Sequence, residues 1–225
     1  MVNTDELKKK AVLIFIAAII ILSIALFLPA GTLDYWQGWA YTAIVLIPAL
    51  FVVSYFITYD PEFLERRMKY KEKEAKQKKV IKWTTILFII GFILPGFDHR
   101  FGWSNMPNEI SIIADVFVFL GYIICFLAFK ENSYAARTVE VMEGQKVIST
   151  GPYSFVRHPM YAGVILMYLA TPLALGSYIA LPFFILIVPF IIYRILNEEE
   201  VLLRGLKGYK EYCNKTRYRL IPFVW

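Results

Sequence analysis

One stretch of the chain, residues 144–163, collects polar side chains of the kinds that bind small molecules beside a long apolar segment. A Gly-Pro pair at Gly151 predicts a turn. His158 and Pro159 predict the start of a helix, because proline fits the first helical position, where no backbone N–H is needed. Arg157 and His158 would then lie near unpaired N–H groups at the positive end of a helix. Such an arrangement favours a ligand that carries a carboxylate or a phosphate.

A second polar cluster follows about forty residues later and contains Arg194, Glu198 and Glu199. The two clusters flank a predicted helical hairpin over residues 160–196, and the two ends of a hairpin return to the same side. We therefore expect His158 and Glu198 to approach each other in one pocket, next to the membrane.

The composition is that of an integral membrane protein, because 58% of the 225 residues are hydrophobic and the mean hydropathy is +0.54. The net charge of +6 does not indicate nucleic acid, since the basic residues lie beside apolar spans, where a membrane surface accounts for them. Cys125 and Cys213 lack the spacing of metal ligands, so we expect free thiols and no metal site.

The apolar runs predict an all-α, polytopic fold with about six membrane-crossing segments, the last two forming the hairpin. An N-terminal region, residues 1–130, would hold the first four spans, and residues 131–225 would form a C-terminal catalytic region with a tail outside the membrane. The predicted spans are 11–28, 39–59, 83–97, 110–129, 160–178 and 179–196.

The distribution of positive charge predicts the orientation of these spans. With six crossings, every lysine and arginine except Arg100 lies on the side that holds the N-terminus, the tail and the 144–163 stretch. Positive residues mark the cytosolic side of a membrane protein. The pocket is therefore predicted to open to the cytosol.

Three polar features outside the two clusters are less informative. Residues 60–82 alternate Lys, Arg and Glu, which is typical of a solvated helical hairpin or loop facing anionic lipid, with a partner-binding surface as the alternative. We expect His99, in a predicted loop, to be structural or exposed. Asp115 would face headgroups if it lies near the end of its span, and would need a partner if it lies deeper.

The two clusters also share an order of residues with a known family. Taken singly, Arg157 would be an anchor at the membrane surface and His158 a helix cap, but the full order favours a site. The pattern covers about residues 140–223 and resembles the C-terminal signature of the isoprenylcysteine carboxyl methyltransferase family and its phospholipid methyltransferase relatives. The matching residues are Gly151, Pro152, Tyr153, Arg157, His158, Pro159, Met160, Tyr161, Gly163, Arg194, Glu198, Glu199, Leu202, Gly208, Tyr209, Tyr212, Arg219, Leu220, Ile221 and Pro222.

This resemblance implies S-adenosylmethionine as the cofactor and assigns roles to individual residues. Glu198 would contact the polar end of the cofactor and Arg194 the carboxylate of the acceptor; with Arg157 they are the predicted catalytic residues. Gln145 and Lys146 differ from the eukaryotic residues, although backbone contact would suffice there. The predicted cofactor-binding residues are Gln145, Lys146, Val147, Ile148, Tyr153, His158, Pro159, Tyr161 and Glu198.

The identity of the methyl acceptor stays open at this point. A lipophilic acceptor from the bilayer fits best, with a prenylcysteine-type carboxylate ahead of a phospholipid amine or a small thiol. Membrane reductases of the steroid-reductase type, which use a nicotinamide cofactor, have a comparable C-terminal architecture and form the second hypothesis. A non-catalytic scaffold or lipid-binding protein is the third, but it does not account for the clustered His, Arg and Glu residues.

Overall fold

A computed structural model describes residues 3–68, 75–135 and 141–225, and in this part of the chain it contains α-helices, a 3₁₀ turn and loops, with no strand. The α-helices are α1 (Thr4–Ala30), α2 (Trp36–Tyr59), α3 (Pro61–Arg67), α4 (Ala75–Phe101), α5 (Asn108–Glu131), α6 (Pro159–Ala174), α7 (Leu181–Ile185), α8 (Ile187–Gly205) and α9 (Tyr209–Lys215). The predicted turn at Gly151 is confirmed as a 3₁₀ turn over Gly151–Ser154, and the predicted helix start at His158 is confirmed as the beginning of α6.

Within the described residues, five helical segments are long and apolar enough to cross a membrane: α1, α2, the Ile81–Phe101 part of α4, α5, and Leu181–Gly205, which comprises α7 and α8. The protein is therefore an all-helical, multi-pass membrane protein, as the composition predicted. Helix α6 has 16 residues and is about 24 Å long at 1.5 Å per residue, which is shorter than a usual span. The sixth crossing stays a prediction.

One predicted boundary is wrong. Helix α4 continues through Pro95 to Phe101, so His99 lies in its last turn and not in a loop. The His99 imidazole lies 2.9 Å from the Asp34 carbonyl and stacks on the Tyr35 ring, as the expected structural role requires. The second arm of the hairpin is one candidate span, Leu181–Gly205, and it divides at Leu186 into α7 and α8.

The ends of several helices meet on one side of the bundle. Buried side chains from the start of α1, the end of α2 and α3 form one apolar cluster, which includes Leu7, Phe56, Phe63 and Leu64. Helix α3 is helical, as one of the two predicted forms of the connector, and it is not solvated on all sides, because Phe63 and Leu64 are buried. Residues 69–74 of the predicted charged connector lie outside the described residues.

Helices α5 and α6 approach each other closely at two glycines. A Cβ atom on Gly163 would lie 2.7 Å from the carbonyl oxygen of Gly121, and a Cβ atom on Gly121 would lie 2.7 Å from that of Gly163. Backbone atoms cannot move away independently, so only glycine permits this separation; small residues are the usual means of close helix packing in membranes. The contact fixes the start of α6 against the middle of α5.

We expect Gly121→Ala and Gly163→Ala to force α5 and α6 apart and to destabilise the protein by about 1–3 kcal/mol, as overpacked cores do. Thermal unfolding in detergent measures this loss. Val116→Ile, which adds one methylene to the exposed face of α5, is the control and should leave the unfolding temperature unchanged. An unchanged temperature for both glycine variants would contradict the close packing.

Candidate active site

A cleft lies where α5 and α8 end and α6 begins. It encloses about 800 Å³, including its open mouth. Residues from five segments form its walls: the turn at the end of α5, the connector before α6, the start of α6, the end of α8, and α9. The lining residues are Asn132, Tyr134, Ala135, Gln145, Lys146, Val147, Ile148, Tyr153, Arg157, His158, Met160, Tyr161, Glu198, Val201, Leu202, Leu206, Tyr209 and Tyr212.

The structure brings nearly all of the predicted site residues to this cleft. His158 and Glu198 both line it, and so do the predicted cofactor-binding residues other than Pro159, which is buried at the first position of α6. Arg194 is not among the lining residues but contacts one of them. The side-chain oxygen of Gln145 accepts a hydrogen bond from the Met142 backbone N–H, so this amide shapes its own loop.

Glu199 is the electrostatic centre beside the cleft. Its Oε1 atom accepts a 2.6 Å bond from Arg157 Nε and lies 3.2 Å from His158 Nε2, while its Oε2 atom accepts a 2.8 Å bond from Arg219 Nε. The carboxylate is 5% exposed. His158 and Glu198 share the cleft as expected, and the hydrogen bond of His158 goes to Glu199, the next residue.

Arg157 holds the tail against the start of α6. Its Nη1 atom donates to the carbonyls of Thr216 and Arg217, at 2.9 and 2.7 Å. The bond to Glu199 raises the pKa of Arg157 even though burial, the larger single effect, acts to lower it. The guanidinium is therefore a buried structural cation, which does not favour the predicted catalytic role.

The backbone N–H groups of Arg157 and His158 are paired with the tail. They donate to the carbonyls of Tyr218 and Arg219, both at 2.9 Å. The free N–H groups that the sequence predicts near these residues are therefore not those of Arg157 and His158 themselves. An anionic ligand group beside them would have to be recognised by other donors.

A second chain of hydrogen bonds connects three of the predicted residues. Arg194 Nε donates to the Tyr161 hydroxyl at 2.9 Å, and this hydroxyl donates to Glu198 Oε2 at 2.8 Å. Tyr161 therefore fixes one oxygen of Glu198 at the wall of the cleft. Because Arg194 lies one helical turn before Glu198 on α8, the same chain holds the arginine near the cleft.

Two tyrosines of α9 contribute to the cleft in ways that the sequence reasoning missed. The Tyr212 hydroxyl donates to the Tyr153 carbonyl at 2.7 Å, which fixes the 3₁₀ turn. The Tyr209 hydroxyl is buried and has no hydrogen-bond partner, and burial raises its pKa, so it is neutral and can donate. Burial likewise raises the pKa of Tyr153 to about 12. The Cys213 thiol interacts weakly with the Tyr209 hydroxyl, and with no strong hydrogen-bond partner among the described residues this hydroxyl is available to a ligand group or to a water molecule.

Comparison with known proteins agrees with this architecture. Residues 110–208 match the phospholipid methyltransferase family. The structure of the eukaryotic intramembrane Ras methyltransferase ICMT, an isoprenylcysteine carboxyl methyltransferase, is similar with a TM-score of 0.52 at 18% identity, over 99% of this chain and 86% of that one. At this identity the likeness shows a common fold.

A curated relative carries a different activity. Over 91 residues the chain is 31% identical to a Δ(14)-sterol reductase of Mus musculus. The match covers 39% of this chain and 22% of the reductase, so the chain spans about a fifth of the length of that relative.

We expect Glu199→Gln to destabilise the protein by about 3 kcal/mol, because it leaves the buried Arg157 and the half-buried Arg219 without a counter-charge. Thermal unfolding in detergent measures the effect. The matched control is Glu200→Gln: Glu200 is the exposed neighbour that pairs with Arg204 on the same helix, and its loss should change stability by less than about 0.5 kcal/mol. Equal effects of the two substitutions would contradict the central role of Glu199.

Proposed function

We propose, from the match of residues 110–208 to the phospholipid methyltransferase family, that the protein transfers a methyl group from S-adenosylmethionine to a lipophilic acceptor. The observation that carries the proposal is the cleft itself. It contains a fixed carboxylate, Glu198, and an unpaired buried hydroxyl, Tyr209, and it lies at the ends of membrane-spanning helices. A water-soluble cofactor and a membrane-soluble acceptor can both reach such a place.

The residues of the cleft fit S-adenosylmethionine. Val147, Ile148 and Leu202 offer an apolar surface for the adenine ring, and Glu198 carries the charge that an amino-acid ammonium group requires. The Tyr209 hydroxyl would donate a hydrogen bond to a polar group of the cofactor. When bound, the cofactor supplies a methyl group on a positively charged sulfur, which needs an aligned nucleophile and little covalent help from the protein.

We further propose that the acceptor is a carboxylate of the prenylcysteine type. A carboxylate is already ionised at neutral pH, so the protein need only orient it, whereas an amine or a thiol must first lose a proton. Arg194, held by Tyr161, is the cation that supports this choice. A phospholipid amine and a small thiol remain the alternatives.

The same proposal gives the orientation of the protein in the membrane. The start of α1, α3, the connector before α6 and the end of α8 lie together at the end of the bundle that holds the cleft. These segments are also the ones rich in lysine and arginine. By the positive-inside rule, we propose that the N-terminal segment, the tail and the cleft face the cytosol.

The match to the sterol reductase favours a second candidate, a nicotinamide-dependent reductase. A dinucleotide carries several phosphate charges and requires cations to bind them. Of the described lining residues, Lys146 and Arg157 are the permanent cations, and Arg157 is bound to Glu199 and to the tail. The small number of available positive charges at the cleft fits S-adenosylmethionine better than the phosphates of a dinucleotide.

We expect the purified protein to bind S-adenosylhomocysteine and Tyr209→Phe to weaken that binding about tenfold, which corresponds to the loss of one hydrogen bond. Isothermal titration calorimetry in detergent measures both. The substitution removes an unpaired group, so the free protein should be no less stable. Tyr193→Phe, at an exposed tyrosine of α8, is the matched control and should bind as the wild type does. Binding of NADPH in place of S-adenosylhomocysteine would favour the reductase.

The chemical stability of the methylated product identifies the class of acceptor. We expect labelled S-adenosylmethionine to label a prenylcysteine analogue, and the label to be released as volatile methanol by mild base, because a methyl ester hydrolyses there. Methylated amines and thioethers survive the same treatment. Base-stable label on an aminophospholipid or on a thiol would overturn the carboxylate acceptor and leave the methyltransferase proposal intact.

A further inference from the structure

The short helix α3 contacts a wall of the cleft that is distant in sequence. Arg66 Nη2 donates to the Ser133 carbonyl at 3.0 Å, and Arg67 Nη1 donates to the Ala135 carbonyl at 2.8 Å. Ala135 itself lines the cleft. Both arginines lie in the last turn of α3, so this helix reaches the segment that follows α5 with two adjacent positive charges.

Helix α3 is fixed well enough to act as a support. The Asp60 side chain caps it by accepting a bond from the Phe63 N–H at 3.0 Å. Phe63 is 1% exposed and packs on Phe56 and Phe129. The guanidinium of Arg67 lies 4.1 Å from the centre of the Phe129 ring, a cation–π contact that restricts its position.

The supported segment, residues 132–135, continues to the part of the cleft proposed to hold the adenosine. The N–H groups of Tyr134 and Ala135 both bond to Asn132, which folds the segment into a turn. The Tyr134 hydroxyl then donates to the Gly144 carbonyl at 3.2 Å, immediately before residues 145–148. A displacement of the turn would therefore be passed to that wall.

Arg67 also reaches a second residue that lines the cleft. Its Nη1 atom, which donates to the Ala135 carbonyl, lies 3.9 Å from the sulfur of Met160 in the first turn of α6. One guanidinium thus connects the segment after α5 to the start of α6, and both contacts are to residues of the cleft.

We propose that Arg67, assisted by Arg66, is a positioning residue that sets the width and rigidity of the cleft. Helix α3 is then part of the binding machinery, although it contributes no lining residue. The identity of the ligand rests on the proposed function, whereas the support of residues 132–135 does not. A lysine at position 67 could not replace the arginine fully, because a single ammonium group lacks the planar fork of donors and the stacking surface.

The test combines ligand binding with backbone amide exchange in the full-length protein. We expect Arg67→Gln to raise the Kd for S-adenosylhomocysteine about tenfold and Arg67→Lys to raise it about threefold, as the loss of all or part of one hydrogen-bonded contact predicts. The amides of Tyr134 and Ala135 should exchange at least about fivefold faster in Arg67→Gln, because local opening becomes easier. Arg204→Gln, at an exposed arginine of α8, is the matched control and should change neither quantity.

Two results would overturn the proposed positioning role of Arg67. The first is unchanged amide exchange at Tyr134 and Ala135 in both Arg67 variants, and the second is faster exchange without any change in Kd. If Arg67→Gln does not fold, Arg67→Lys is compared with the wild type on the same two measurements. A wild type that does not bind S-adenosylhomocysteine would refute the proposed function, while amide exchange would still test the role of Arg67.

Discussion

The burial of one carboxylate constrains the whole region around the cleft. Glu199 lies almost entirely out of water, and a buried charge is tolerated only when it is paired and hydrogen-bonded. Arg157, His158 and Arg219 surround it, and they come from the residues before α6 and from the tail. Helix α8, the start of α6 and the tail are therefore held together by the need to neutralise a single residue.

The two neighbouring glutamates, Glu198 and Glu199, have different roles in this arrangement. Glu199 faces the interior and organises the backbone, while Glu198, about 100° further round the helix, faces the cleft and is oriented by Tyr161. The two arginines Arg157 and Arg194 also differ in role. Arg157 fixes the tail, and Arg194 bonds to a side chain of the cleft wall. The structural pair is buried, and the pair at the cleft is half-buried, where a ligand can reach it.

The sequence predicted those features that depend on neighbouring residues. Proline at position 159 fixed the start of α6, and long apolar runs identified the spans, because both follow from local chemistry. His158 and Glu198 were expected to share one pocket, and they do, but the hydrogen bond of His158 to Glu199 was not foreseen, because spacing along the chain cannot tell which of two adjacent residues faces inward. A signal was present, however: Ile187, Ile191 and Ile195 are buried at intervals of four, and Glu199 is the next position. The role of α3 had no such signal, since its arginines bond to backbone carbonyls more than sixty residues away, and any sequence supplies carbonyls.

The location of the cleft follows from the behaviour of the backbone in a membrane. In hydrocarbon every N–H and C=O group must be paired within the protein, so spanning segments are regular helices. The cleft, in contrast, is built from irregular backbone. It consists of a 3₁₀ turn, a connector over residues 141–148 and a tail whose carbonyls accept bonds from Arg157. Such backbone can form only where the helices end, and there α5, α6 and α8 present their termini together. A polar pocket at the ends of the helices is thus a consequence of where this chain stops being helical.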